Sequence, residues 1–242
     1  MSNPFTLEIL QAINDWQRST TKNRGKKLET LCVNLPAQYK TVDFACYRKI
    51  NLQKDGVFSM FAHYRLPERS SSWSSSVDVV KNFKHGVSLN IVEQSFIYQT
   101  IPTPNEIILN LIAVYNSSDF QSALSLHRKD IDNVHLGIDK YGNSQLEVVL
   151  KKDFVTHNDI YMLGGRSSAF CVSHSPVIQK MSLSYLDYDI RKNKVITFKW
   201  LSHEITRRII DRILRKYPQP FNAYGKSYGY IIPKKRKKKS RR

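Results

Sequence analysis

The chain has few of the residues that build metal sites or disulfide frameworks. Its three cysteines, Cys32, Cys46 and Cys171, lie far apart, and no Cys-x-x-Cys pair occurs among the 242 residues. The seven histidines form no His-x-His or His-x-x-x-His pair of the kind that holds a metal ion. We therefore expect no metal site and no disulfide, and we interpret the cysteines as buried free thiols in a reducing compartment.

Long hydrophobic runs are also absent. No segment approaches the ~18 consecutive apolar residues that are needed to cross a bilayer. The first residues lack the basic and apolar regions of a signal peptide, and no glycine-rich phosphate loop of the Walker or Rossmann type occurs. These absences predict a soluble, cytoplasmic protein without a membrane partner.

Positive charge, in contrast, is abundant and unevenly placed. The formal net charge is +18, and residues 199–242 hold 15 Lys and Arg against two acids, which leaves only +5 for the other 198 residues. Eight of the last nine residues are basic, among them Lys234, Lys235 and Arg236. Such runs bind polyanions by releasing counterions, and the tyrosines that precede this run can stack on unpaired bases. Nucleic acid is therefore the expected partner, with a nuclear-localisation address or a solubilising tail as alternatives.

Hydrophobic patterning predicts an α+β protein in which strand-like runs dominate the middle of the chain. An apolar face at helical spacing indicates a helix over residues 5–18, with Thr6 or Asn3 as its N-cap. A serine-rich loop is expected over 66–76, and a turn over 139–143. Further helices are predicted over 27–34, 77–83, 120–126 and from 201 onward, and strands over 42–50, 57–64, 87–92, 96–100, 107–114, 146–150 and a hairpin of 181–188 with 194–200.

Three short segments carry the residues of greatest chemical interest. Tyr47-Arg48 lies near the end of one predicted strand, and Trp73-Ser74-Ser75-Ser76 precedes a predicted helix that ends at Phe83. Gln145-Leu146-Glu147 leads an apolar strand directly after a turn that contains glycine. Because residues two apart on a strand share a face, Gln145 and Glu147 are expected to point into one cleft.

In this order, the three segments resemble the motifs of the Arg–Ser–Glu class of mono-ADP-ribosyltransferases, in particular the bacterial toxin-type enzymes. The resemblance covers roughly residues 42–153, and Ser75 stands where the family more often has threonine. It implies two facing, mainly antiparallel sheets with N-terminal helices, and NAD bound in the cleft as a co-substrate without a metal.

The resemblance also implies roles for the residues that bind NAD. Arg48, beside Tyr47, would bind the phosphates, because a guanidinium grips phosphate oxygens in a bidentate fork. Ser74 would hold the nicotinamide ribose and help to orient the catalytic glutamate. Three more residues, Ser75, Ser76 and Phe83, would complete this NAD-binding segment.

The remaining roles concern the transfer step and the acceptor. Glu147 would stabilise the oxocarbenium-like transition state that forms when the glycosidic bond breaks. Gln145 would position the acceptor, and Tyr141, in the preceding loop, would contact it. Lys234, Lys235 and Arg236 are the residues expected to hold a nucleic-acid acceptor, either RNA or DNA.

Other interpretations stay open. One alternative is an enzyme of the same class with a protein acceptor, and the other is a non-catalytic nucleic-acid-binding protein. A restriction-type nuclease is disfavoured, because Val148 and Val149 follow Glu147 where the Asp/Glu-x-Lys motif requires lysine. Since the enzymes resembled are often toxins of phage-defence or toxin–antitoxin systems, a neutralising antitoxin is an implied partner.

Three regions are predicted along the chain. Residues 1–175 would form the catalytic domain with its N-terminal helices, and residues 176–233 a C-terminal extension made of a hairpin and a basic helix. Residues 234–242 would form a disordered polybasic tail, since like charges repel one another.

Overall fold

A computed structural model describes residues 3–53, 63–90, 93–164 and 199–216. The predicted hairpin at 181–200, most of the predicted strand 57–64, Cys171 and the polybasic tail therefore lie outside the described residues, apart from Lys199 and Trp200. The described helices are α1 (Leu7–Arg18), α2 (Lys22–Cys32), α3 (Val77–Asn82), α4 (Leu111–Tyr115), α5 (Ser118–His127), α6 (Ile138–Tyr141) and α7 (His203–Lys216). None of them is long and apolar enough to cross a membrane.

The strands form one large antiparallel sheet and one short ribbon. Six strands pair in the order β5-β6-β3-β1-β4-β8, and β2 pairs only with β7. This confirms a mixed α and β protein with an antiparallel sheet, while the ADP-ribosyltransferase-like arrangement of two facing sheets stays a prediction. The strands are β1 (Cys46–Gln53), β2 (His63–Arg65), β3 (Ser70–Ser74), β4 (Glu93–Thr100), β5 (Ile107–Asn110), β6 (Glu147–Lys151), β7 (Phe154–Thr156) and β8 (Ile160–Gly164).

Side-chain alternation along the strands divides the core into two clusters, one on each face of the sheet. Val149 packs with Trp16 of α1 in the first cluster, which also holds the other N-terminal and central helices. Val148 and Leu150 point the other way and pack with Trp73 in the second cluster, together with residues of the ribbon and α7. The sheet thus has a face covered by α1 and α2 and a face covered by α7 and the ribbon.

The N-terminal helices begin at capping threonines. The Thr6 hydroxyl accepts a hydrogen bond from the Ile9 N–H, as predicted for α1, and the Thr21 hydroxyl accepts one from the Arg24 N–H. Because Thr21 caps α2, this helix begins at Lys22, five residues before the predicted start.

The prediction of a serine-rich loop over residues 66–76 is wrong in its central part, since Ser70–Ser74 forms β3. Serine has a low strand propensity, but here β3 pairs along its whole length with β6. Its hydroxyls find partners within the sheet: the Ser71 hydroxyl accepts from the Trp73 indole at 2.8 Å. Pairing with β6 therefore outweighs local preference.

Three predicted strands are also corrected. The apolar run over residues 107–114 ends as a strand at Asn110, whose side chain accepts from the Ala113 N–H and caps α4. Residues 87–90 form no regular strand, and β1 begins at Cys46, four residues later than predicted.

The helix assigned to the C-terminal extension packs on the same sheet as the rest of the protein. Ile210 of α7 is fully buried in the second cluster, and the Trp200 indole donates to the Lys81 carbonyl at 3.0 Å. The predicted boundary at residues 175 and 176 lies outside the described residues. Within them, Cys32 and Cys46 are buried free thiols, and burial raises the pKa of each to about 12.

Candidate active site

A cleft of about 460 Å³ opens where β1 and β3 part. These neighbouring strands pair at one position only, Tyr47 with Ser74. The volume of the cleft lies within the range of about 300–1,000 Å³ that is typical of small-molecule and cofactor sites. The cleft is lined by residues 16–20, 47–49, 72–74, Glu68, Val79, Val80, Phe83, Lys84, Tyr141, Gln145 and Glu147.

Most of the site residues predicted from the sequence line this one cleft. They are Tyr47, Arg48, Ser74, Phe83, Tyr141, Gln145 and Glu147. Ser75 and Ser76 are not part of its lining: the Ser75 N–H donates to the Leu146 carbonyl at 2.9 Å, and the Ser76 hydroxyl caps α3. Lys234, Lys235 and Arg236 lie outside the described residues.

Glu147 is the most deeply buried acidic residue of the cleft, with 4% of its surface exposed. It is the first residue of β6, and the Trp16 indole N–H of α1 donates to its Oε1 at 2.8 Å. Burial raises the pKa of Glu147, while hydrogen bonds from Ser72 and Trp16 and the charge of Arg48 lower it. The carboxylate is thus held in a fixed orientation by donors from two different elements.

Ser74 lies directly opposite Glu147 in the β3–β6 pair. Its hydroxyl donates to the Gln145 carbonyl at 2.7 Å and accepts from the Ser76 N–H at 3.1 Å. These two bonds tie the turn before Glu147 to the end of β3. In this structure the Ser74 hydroxyl fixes the backbone, and Ser72 supplies the hydroxyl that reaches the carboxylate.

The turn that precedes Glu147 is strained. Leu146 has a φ of 46°, a left-handed conformation that bulky residues rarely adopt. The alternation argument for Gln145 and Glu147 therefore fails, because β6 begins only at Glu147 and Leu146 is not extended. Both side chains nevertheless line the cleft. The bonds from Ser74 and Ser75 to this turn keep Leu146 in its strained conformation.

Arg48 reaches the cleft by a different route from Glu147. Tyr47, Ser74 and Glu147 are cross-strand neighbours and share a face, so alternation directs Arg48 toward the other face, where its register partner is the buried Tyr98. It borders the cleft because β1 and β3 are not paired beyond Tyr47.

The Arg48 guanidinium already has a partner. Its Nη2 lies 3.0 Å from Oε2 of Glu68, a carboxylate that the sequence analysis missed. Burial lowers the pKa of Arg48, and the hydrogen bond and charge of Glu68 raise it. Any anion that binds Arg48 must share or replace Glu68.

Further cations and rings complete the lining. Arg18, Lys49 and Lys84 bring positive charge, and Trp16, Tyr47, Phe83 and Tyr141 bring aromatic surface. The Lys49 ammonium donates to the carbonyls of Phe83 and Gly86, which attaches the segment after α3 to β1. This combination of cations, rings and one buried carboxylate suits a dinucleotide, which carries two planar bases and a diphosphate.

Among the cleft residues that were not predicted, Trp16, Glu68 and Ser72 act directly on Glu147 or Arg48. Trp16 carried a usable signal, because a buried tryptophan needs an acceptor for its indole N–H. Ser72 carried a weaker one, since it lies two residues from Ser74 and would share its face if the segment were a strand. Glu68 precedes β3 in a segment without periodicity, and no sequence signal marks it.

The described residues contain no group of three or more His, Cys, Asp and Glu placed to hold a metal ion. Comparison of the chain with protein-family models, curated proteins and solved structures found no match.

Proposed function

We propose that this protein is a mono-ADP-ribosyltransferase that uses NAD as its co-substrate. The observation that carries the proposal is the single cleft lined by the Arg48 guanidinium, the Ser72 and Ser74 hydroxyls and the buried Glu147 carboxylate. Three strands that are neighbours in the sheet, β1, β3 and β6, supply these side chains. Their chemistry matches the three needs of the reaction: a phosphate anchor, an ordered ribose site and a negative charge near the reacting carbon.

Glu147 acts on the charge that develops during transfer. When the bond between the ribose and nicotinamide breaks, its electron pair leaves with nicotinamide and the ribose carbon becomes positively charged. An ionised, buried carboxylate stabilises that charge more strongly than an exposed one, because little water screens it. The acceptor then bonds to the same carbon and loses its proton. Trp16 and Ser72 keep the carboxylate oriented throughout.

Arg48 binds the diphosphate after exchanging its partner. A guanidinium binds phosphate oxygens in a bidentate geometry, and it does so at the expense of the bond to Glu68. Lys84, also in the lining, adds a second positive charge for the same group. Substrate binding therefore releases the Glu68 carboxylate toward solvent.

A nucleic acid, RNA or DNA, is the proposed acceptor. The charge distribution supports this choice, since residues 199–242 carry a net charge of +13. A polyanion is attracted to such a surface by counterion release, in a manner that depends steeply on salt.

The test is the release of nicotinamide from NAD by the full chain, with RNA, DNA or total protein supplied as acceptors and the NAD labelled in its adenine. We expect label on nucleic acid, and a loss of at least about a hundredfold in rate for Glu147→Gln, because the electrostatic stabilisation is removed. Glu8→Gln, which alters an exposed carboxylate of α1 outside the cleft, is the matched control and should keep full activity.

Nicotinamide release that persists in Glu147→Gln would contradict the proposed mechanism. The absence of release with all three acceptors would contradict the proposed activity. Label found on protein alone would contradict the proposed nucleic-acid acceptor but support the proposed transferase activity.

A further inference from the structure

A row of side chains crosses the sheet from the catalytic carboxylate. Glu147 is opposite Ser74, Ser74 is opposite Tyr47, and Tyr47 is opposite Gln99 of β4. Because directly paired residues of antiparallel strands point to the same face, these four side chains lie in one line on the side of the cleft. The line runs toward β8, the edge strand next to α7.

Aromatic rings continue this line to α7. Tyr161 of β8 contacts Tyr47 edge to face, with 5.1 Å between the ring centroids and 61° between the planes. His203, the first residue of α7, stacks on Tyr161 at 4.7 Å and 22°. Tyr47 and Tyr161 are partly exposed and His203 is exposed. We name these three residues the ring strip.

The ring strip ends where the positive charge of the chain begins. Helix α7 carries four arginines and Lys216 against Glu204 and Asp211, and Arg208, Arg212 and Arg215 are exposed. Residues 217–242 add nine basic residues and no acids. The ring strip therefore ends at the first turn of a helix that exposes three arginines.

Accessible rings beside cations favour one class of polymer. Unpaired bases stack on aromatic side chains while arginines bind the backbone phosphates, and this combination is typical of proteins that bind single strands. In a duplex the bases are stacked on one another and their faces are closed to such rings. An acidic protein would satisfy the arginines but would gain little from the rings.

We propose that the ring strip and α7 bind single-stranded nucleic acid and lead it to the cleft. This inference deepens the proposed function, because it names the strandedness of the acceptor and the surface that holds it. It makes Tyr161, which does not line the cleft, a determinant of acceptor binding.

The test measures binding without chemistry. The full chain carrying Glu147→Gln is titrated, in the absence of NAD, into a short fluorescein-labelled oligonucleotide of mixed sequence, either single-stranded or annealed as a duplex. Anisotropy is recorded at about 0.2 M salt, so that the contribution of the polybasic residues is weakened. We expect the single strand to bind more tightly than the duplex.

Substitutions at Tyr161 separate stacking from charge. Tyr161→Leu should weaken single-strand binding on the order of tenfold, and Tyr161→Phe, which keeps the ring, should restore it. Phe154→Leu is the matched control, since it removes an exposed ring from β7, outside the ring strip, and should leave binding unchanged. Thermal unfolding of each variant shows that it is folded.

Three outcomes would overturn the inference: equal binding of single strand and duplex, unchanged binding by folded Tyr161→Leu, or no binding of either oligonucleotide. Because no NAD is present, such a failure would leave the proposed activity standing. Conversely, single-strand binding by a protein that never releases nicotinamide would support this inference and contradict the proposed function.

Discussion

The two walls of the cleft are built in different ways. On the wall of β6, Glu147 is buried beneath α1, and Trp16 and the Ser72 hydroxyl bond to its carboxylate. On the wall of β1, Arg48 lies at the gap between two strands and forms an ion pair with Glu68, whose side chain is 31% exposed. The Glu147 carboxylate is held by neutral hydrogen-bond donors within the core. The Arg48 guanidinium is held by the Glu68 carboxylate, which another anion can replace.

The two walls therefore make different contributions: one preorganises the Glu147 carboxylate, and the other binds substrate through Arg48. A carboxylate held by core donors needs no rearrangement when positive charge develops beside it, which is the property that favours catalysis. An arginine that must leave one anion to bind another has an affinity reduced by the strength of its first pair. Changes at the wall of β6 should therefore act on kcat, and changes at the wall of β1 should act on KM.

Among the residues that hold Glu147 and Arg48 in place, the largest effect is expected for Trp16→Phe. Losing the indole donor removes a hydrogen bond to a charged group, so kcat should fall roughly tenfold or more. The same bond lowers the pKa of Glu147, so its loss should move the acidic limb of the kcat–pH profile to higher pH. Both quantities are measured from nicotinamide release across pH.

Tyr39→Phe is the matched control for that variant. It removes a buried aromatic donor from the same core cluster, where the Tyr39 hydroxyl bonds to Ser117 and Asp119 rather than to Glu147. It should lower stability without shifting the pH profile. A profile that is the same in Trp16→Phe and in the unaltered protein would show that Trp16 acts only in packing.

A smaller effect, and one that favours the reaction, is expected for Glu68→Gln. Freeing Arg48 should lower KM for NAD, by roughly fivefold at most, because a partly exposed ion pair contributes about 1 kcal/mol or less. The value of kcat should stay the same. Glu106→Gln breaks the Lys152–Glu106 pair, which has similar exposure and lies outside the cleft, and should leave KM unaltered. A rise in KM for Glu68→Gln would mean that Glu68 positions Arg48 for the substrate.

The smallest effect concerns stability at the wall of β6. Because burial raises the pKa of Glu147 above its ordinary value of 4.5, an ionised carboxylate at this position destabilises the folded protein at neutral pH. The stability that this group contributes is present at low pH and is lost as the pH rises through its folded-state pKa. Glu147→Gln, which still accepts from Trp16, should therefore raise Tm at neutral pH, by about 2–4 °C for each kcal/mol recovered. The gain should vanish near pH 4.5, and a gain that is independent of pH would exclude this origin.

Local patterns in the sequence predict the central residues of both walls better than they predict the residues that hold them. Arg48, Ser74 and Glu147 stand in short motifs that can be read without knowing the fold, and all three line the cleft. Trp16 lies 131 residues from Glu147 in the chain, and only tertiary packing brings the two together. Tertiary packing likewise brings Glu68 to Arg48.

The fold was predicted where one signal dominates. The apolar face and threonine cap of α1 gave its position almost to the residue. Prediction failed at β3, because pairing with β6 outweighs the low strand propensity of serine. It failed again at Leu146, whose left-handed backbone is held by bonds from Ser74 and Ser75 that local sequence does not reveal.

The central claim is that Arg48 and Glu147 meet around one dinucleotide, and calorimetric titration of NAD into Glu147→Gln tests it most directly, since this variant should bind without turnover. We predict one site per chain, an affinity weakened at least about tenfold by adding Arg48→Ala, and no change on adding Lys26→Ala, an exposed lysine of α2. No binding of NAD, or an affinity indifferent to Arg48→Ala, would contradict the account.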